Sequence, residues 1–212
     1  MLFRSVFRVV LIAASFASAA WAQHEEQKQA LQPTGEAGEH TPDARKSLPS
    51  PGPEMQRLLS TFEGTWALSE KYEPSDWMPR GGAGAGQQVW SAGPGGLSLI
   101  EEYRSENPTG NVFGLSVTWW DDKAQGYRAL WCVNTNPGGC TVMASLAKWQ
   151  GSKFVLGDEF ERNGKRFTFK EVFSDITPKS FTQMLYQGAT GGELKLLMTI
   201  RATKVTTGKT RS

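Results

Sequence analysis

The chain has 212 residues, with 23 Lys and Arg against 21 Asp and Glu, and only two His. Two of the basic residues, Arg4 and Arg8, lie in an N-terminal segment expected to be removed, which leaves a formally neutral chain with 21 of each sign. A protein that grips nucleic acid or an anionic membrane keeps a concentrated basic surplus, so nucleic acid is excluded as a partner.

Residues 1–22 read as a signal peptide. Arg4 and Arg8 form its basic start, "VVLIAASFASAA" its apolar stretch, and Ala20-Trp21-Ala22 its small-x-small cleavage site. The apolar run falls short of the roughly 20 residues a mature membrane-spanning helix needs. No Cys follows it to accept a lipid. The expectation is export through a cleaved signal, to the periplasm or beyond, with no stable membrane span left after cleavage.

Residues 23–53 contain almost no large apolar side chain and several Pro and Gly, the composition of a disordered tether. Both histidines, His24 and His40, fall in it. The remainder forms one domain over 54–204 and a flexible tail over 205–212.

The domain opens with "PEMQRLLSTFEG", where Met55, Leu58, Leu59 and Phe62 recur at helical spacing up to Gly64. From Gly64 the apolar period changes to two. Turn signals follow at 92–96, 107–110, 121–126, 136–139, 150–153, 162–165, 175–180 and 188–192. They separate nine strand candidates between Gln87 and Thr203, and Gly64–Tyr72 adds a tenth. Asn163-Gly164 is the sharpest turn, because a two-residue type I′ hairpin wants positive φ at both positions. The Gly-rich "RGGAGAG" (80–86) has no Lys-Ser/Thr ending and opens no helix, so it reads as a flexible loop lidding one barrel end rather than a phosphate cradle.

Ten sequential strands joined by short hairpins leave two open edges unless the sheet closes. The fold expected is therefore all-β, an up-and-down antiparallel barrel of about ten strands with a short N-terminal helix capping one end. A two-sheet sandwich is the alternative, but its long Greek-key connections are not evident.

The opening Gly64-Thr65-Trp66, the meander, and Arg201 in the last strand resemble the calycin superfamily of lipocalin-like barrels. The stretches "GPGGLSLIEEY" (93–103), "WWDDKAQGYRALW" (119–131), "FTFKEVFSDITPKSFT" (167–182) and "GGELKLLMTIRATK" (191–204) resemble more closely the bacterial family called domain of unknown function 1579. The resemblance to lipocalins implies that Trp66 closes one barrel end and that Arg201 lies across it. A guanidinium on an indole face gains from cation–π contact, which fits that pairing.

The domain's residue content limits the catalytic sets it can hold. With no His in the domain, a Ser-His-Asp or Cys-His relay lacks its base, and a zinc site its commonest nitrogen ligand. No metal or cofactor is expected. Glu101 and Glu102 alternate on a strand and cannot share one cavity. Asp121-Asp122 sits in a turn, and Asp158, Glu159 and Glu161 read as a solvated face.

Cys132 and Cys140 frame "CVNTNPGGC", which places them opposite each other across a hairpin. In an oxidising compartment an even pair reads as a structural disulfide worth about 2–3 kcal/mol.

The remaining candidates are aromatic and polar strand residues. Trp90, Tyr103, Trp120, Arg128, Trp131, Glu171 and Tyr186 are the ligand-binding set expected if a cavity fills the barrel. Which parity faces inward stays open, since Trp119 and Trp120 are adjacent and one must point each way. The functional expectation is a non-enzymatic barrel holding a small apolar or amphiphilic molecule. The alternatives are an isomerase- or cyclase-like enzyme using acid–base chemistry at the barrel mouth, and a structural module of the cell envelope.

Overall fold

The structure is a computed structural model that describes residues 49–76, 78–162 and 164–206. The signal peptide, nearly all of the tether and most of the tail lie outside the described residues, as does Asn163. The first element among the described residues is α1 (Pro53–Phe62), with Pro53 at its first turn, where a missing N–H costs nothing. Its apolar stripe buries Met55, Leu58 and Phe62.

Eleven antiparallel strands follow among the described residues. They are β1 (Gly64–Tyr72), β2 (Gly82–Ala92), β3 (Leu99–Asn107), β4 (Gly110–Asp121), β5 (Gly126–Val133), β6 (Cys140–Val142), β7 (Lys148–Gln150), β8 (Lys153–Arg162), β9 (Lys165–Ser174), β10 (Ser180–Ala189) and β11 (Lys195–Lys204). They form one sheet in the order β6-β5-β4-β3-β2-β1-β11-β10-β9-β8-β7. Every hairpin joins neighbours, and β1 pairs β11, so the meander curls on itself. Its two ends meet where Tyr127 of β5 and Ala147, just before β7, exchange two backbone hydrogen bonds of 3.0 and 2.8 Å. The fold is an up-and-down antiparallel β-barrel.

Two expectations need correction. The strand candidate between the turns at 136–139 and 150–153 is two short strands, because residues 143–147 leave β6 to reach the seam. Met143 N–H still bonds Ala129 O, and Leu146 lies over Gly126, where a Cβ would come within 2.9 Å of it. The glycines at 82–86 are not a lid: they are the first half of β2, paired with β1 on one side and, from Ala85 on, with β3 on the other. Glycine is needed there because the strands approach too closely for side chains. A Cβ on Gly86 would lie 2.2 Å from Arg104 O, and one on Gly84 would lie 2.6 Å from Glu70 Oε2.

The hairpin geometry follows the turn chemistry elsewhere. Arg162 pairs Lys165, which leaves a two-residue turn whose Gly164 has φ +71°. Cys132 pairs Cys140 in register, and the two form a disulfide with Cα atoms 4.0 Å apart.

Candidate functional site

Strand alternation sorts the interior into layers. On β1 the inward side chains are Trp66, Leu68, Glu70 and Tyr72, and on β3 they are Leu99, Glu101, Tyr103 and Ser105. The layer nearest α1 is an aromatic plug. Phe62 reaches down from the helix and its ring lies 5.2–5.6 Å from those of Trp90, Phe173 and Phe181. Trp66 is fully buried beside Phe181, and its Nε1 donates to Phe62 O at 2.7 Å. This end of the barrel is sealed.

The cation over Trp66 is not Arg201. Arg201 stands between inward Ile200 and Ala202, so period-two alternation sends it outward, where it is exposed opposite Ser69. Lys204, the register partner of Trp66, supplies the charge instead, with Nζ 5.0 Å from the ring.

Above the plug, polar groups span the lumen. Gln88 on β2 donates from Nε2 to Glu101 Oε1 at 2.8 Å and to Gln183 Oε1 at 3.1 Å. Gln183 on β10 in turn donates to Glu171 Oε1 on β9. Two strands, β1 and β11, separate β2 from β10 in the sheet, so the Gln88–Gln183 bond crosses the barrel rather than following its wall. Ser116 hydrogen-bonds Glu101 from β4. All four members of the chain are at most 8 % exposed. Burial pushes the Glu101 carboxyl up to about 8, with the nearby Glu171 adding to the rise. Burial alone raises Glu171, to about 7. Two polar atoms of this floor have no partner: Gln88 Oε1 and Trp90 Nε1.

One layer further, Glu70 accepts three hydroxyl bonds of 2.6 Å, from Tyr72, Tyr103 and Ser105. Asn107 also donates to the Tyr72 hydroxyl. Burial, then the bond to Glu70, lifts the Tyr72 phenol to about 12 and raises Tyr103 as well. Half-buried apolar side chains complete the wall around these polar groups: Leu156 and Leu185 flank Glu171 as its register partners, and the Trp131 ring lies 6.2 Å from that of Tyr103.

The seven expected ligand residues divide. Trp90, Tyr103 and Glu171 are buried and inward. Trp131 is inward and half-buried, with its ring 6.2 Å from Tyr103. Trp120 belongs to the sealed end, against Tyr127. Arg128 faces outward, because Tyr127 and Ala129 hold the inward parity, and its Nε binds Asp121 at 2.5 Å. That bond holds the Asp121 carboxyl below its usual range. Tyr186 shares the outward face with Met184, whose Sδ its hydroxyl touches at 3.4 Å. Sequence reasoning missed Glu70 and set Glu101 aside. Counting by twos from Trp66 reaches Glu70, and counting by twos from Leu99 reaches Glu101.

Two surface clefts lie on the outside of the barrel. One, of about 420 Å³, lies outside the plug between α1 and the seam, lined by Glu54, Arg57, Trp120, Tyr127, Lys148 and Trp149 among others. The other, of about 320 Å³, lies over the disulfide beside exposed Phe113 and Leu115. Neither reaches the carboxyl floor. Among the described residues no group of three or more His, Cys, Asp or Glu is placed to hold a metal ion.

No family model and no curated protein matches the chain. Solved structures do. The S-type phycobiliprotein lyase CPES from Guillardia theta matches with a TM-score of 0.50 at 8 % identity, over 72 % of this chain and 93 % of that one. Rv2717c from M. tuberculosis matches at 0.42 and 12 % identity, over 73 % and 99 %. A redesigned beta barrel, mFAP1, bound to DFHBI, matches at 0.38 and 12 %, over 70 % and 99 %. The likeness is one of fold alone.

Proposed function

We propose that this chain is an exported, lipocalin-like barrel of the domain of unknown function 1579 family, and that it holds a small, partly apolar molecule inside the barrel. The observation that carries this reading is the mixed lining of the lumen. Half-buried Trp131, Leu156 and Leu185 stand beside the Glu101–Gln88–Gln183–Glu171 chain, a polar floor in which Gln88 Oε1 has no partner. Apolar walls with a few convergent polar groups are the usual make-up of a small-molecule site. Native mass spectrometry of the mature protein, with displacement of a neutral solvatochromic dye, tests it. A retained or displaceable species is expected. No dye binding and no bound species across a lipophilic panel overturns it.

A second reading, acid–base catalysis, is favoured by the raised Glu101 and Glu171 carboxyls, which hold a proton near neutral pH. None of the buried side chains among the described residues is cationic, so no buried positive group stands beside them to stabilise developing negative charge. Binding is accordingly the leading reading. Turnover of a bound species that stops in Glu101→Gln would reverse the order.

A further inference from the structure

Resting on the reading that the barrel holds a ligand, we propose that the ligand's polar head is an organic ammonium, seated against Glu101, Glu171 and Gln88. The charge inventory of the lumen points there first. Three carboxyl groups, Glu70, Glu101 and Glu171, are buried and inward, and no buried Lys, Arg or His accompanies them among the described residues. Glu70 is satisfied by its three hydroxyls. Glu101 and Glu171 have only neutral donors, from Gln88, Ser116 and Gln183.

The second observation is Gln88. Its side chain is fully buried, its amide nitrogen is spent on Glu101 and Gln183, and its Oε1 is unpartnered. A buried acceptor left empty is unfavourable, because its hydration is lost and nothing replaces it. The capacity left among these three residues is acceptor capacity: this oxygen and the unused lone pairs of two carboxyls. An ammonium offers three donors and one positive charge, which fits that demand. A carboxylate or phosphate head would meet like charge with no counter-cation. A divalent metal does not fit, because the carboxyls are not clustered as ligands.

Binding such a head couples to protons. Burial holds Glu101 and Glu171 partly protonated near neutral pH, and a cation beside them favours their ionised forms. The other titratable groups that face them by alternation are Glu70 and Tyr72 on β1, Tyr103 on β3, Tyr127 on β5, and Asp158 on β8, whose carboxylate is engaged by Ala144 N–H. The buried side chains of α1, β2, β10 and β11 add no titratable group.

Dodecylamine, dodecanol and dodecanoate share one tail and differ in the head. Their displacement of a neutral dye from the mature protein ranks the heads directly. The amine is expected to bind about tenfold or more tighter than the alcohol, as charge-assisted hydrogen bonds would give, with the acid weakest. Calorimetry in buffers of different ionisation enthalpy should show proton release on amine binding near neutral pH. Glu101→Gln with Glu171→Gln should abolish the amine's preference over the alcohol, so that the two bind about equally in the variant. Equal binding of amine and alcohol, or tighter binding of the acid, overturns the proposal while leaving a ligand-holding barrel. Failure of all three to bind defeats the underlying reading as well. The head ranking is read on the unmodified protein, so a variant that does not fold leaves the test intact.

Discussion

Lys204 lies over Trp66, with Nζ 5.0 Å from the ring and donating to Glu63 O at 2.7 Å. One lysine thus covers the buried indole and ties the end of α1 to the last strand. Gly64 makes room for it: φ is +129°, and a Cβ there would lie 2.7 Å from Lys204 Cε. Lys204→Met keeps the stem and removes the charge and the donor, and is expected to cost about 1–2 kcal/mol in urea unfolding. Arg201→Ala, on the exposed face, should stay within about 0.5 kcal/mol. The reverse order would restore the lipocalin pairing of Trp66 with Arg201.

Gly86→Ala sets a methyl 2.2 Å from a backbone carbonyl of β3, so the strands themselves must move apart. A loss of about 2–3 kcal/mol is expected, at the upper end for overpacking. Gly82→Ala, whose nearest contact is the Pro108 ring, tests whether the effect is specific to the close strand approach. Equal tolerance at both positions would contradict the tight β2–β3 crossing.

Tyr103→Phe removes one of three hydroxyls bonded to the Glu70 carboxyl and is expected to cost about 1–3 kcal/mol, as leaving a buried polar group short of a partner does. Glu70→Gln in the Tyr103→Phe background should cost less than in the parent. A double-mutant cycle measures that coupling.

The pH dependence of stability has a definite sign. Glu101 and Glu171 have folded values raised above the ordinary 4.5, to about 8 and about 7. Between the ordinary value and these, the folded state holds protons that the unfolded chain releases. Their contribution is therefore most favourable below the ordinary value and is lost as pH rises through 4.5 to 8. The unliganded protein should be less stable at about pH 9 than at about pH 5, by an amount on the order of a few kcal/mol. Glu101→Gln should flatten that slope. A slope unchanged in Glu101→Gln and Glu171→Gln would remove the floor carboxyls as its source.

Reduction of the Cys132–Cys140 bridge should lower stability by about 2–3 kcal/mol. Cys132→Ser with Cys140→Ser should do the same. Because the bridge joins β5 to the edge strand β6, loss of β6 pairing is expected in hydrogen exchange, with the plug unaffected.

Much of the barrel was legible in the chain. Turn residues mark where strands end, the period of two marks where they run, and "CVNTNPGGC" contains both its turn and its bridge. The helix was legible too, since Met55, Leu58 and Phe62 alone can form its buried stripe. These are local signals, set by φ/ψ preference and side-chain alternation within a few residues. The glycines of 82–86 misled for the same reason: alone they read as a loop, and only their neighbours in the fold, the Pro108 ring at Gly82, the Glu70 side chain at Gly84 and the Arg104 carbonyl at Gly86, show why a strand carries glycine there.

The candidate site was least legible. Alternation says that Glu101 and Glu102 part company, but not which of them enters the barrel. That depends on the parity of the whole strand, fixed by Leu99 and Tyr103 packing inward. Nor can the chain say that Glu101 meets Glu171, 70 residues away, through two glutamines that cross the lumen. Closure brings them together, and burial then raises their carboxyls. Most of the strands, the hairpin turns, the helix and the disulfide follow from local chemistry that the sequence determines by itself. The identity of the cation on Trp66, and the carboxyl floor above it, were decided only when the sheet curled and gave each strand an inside.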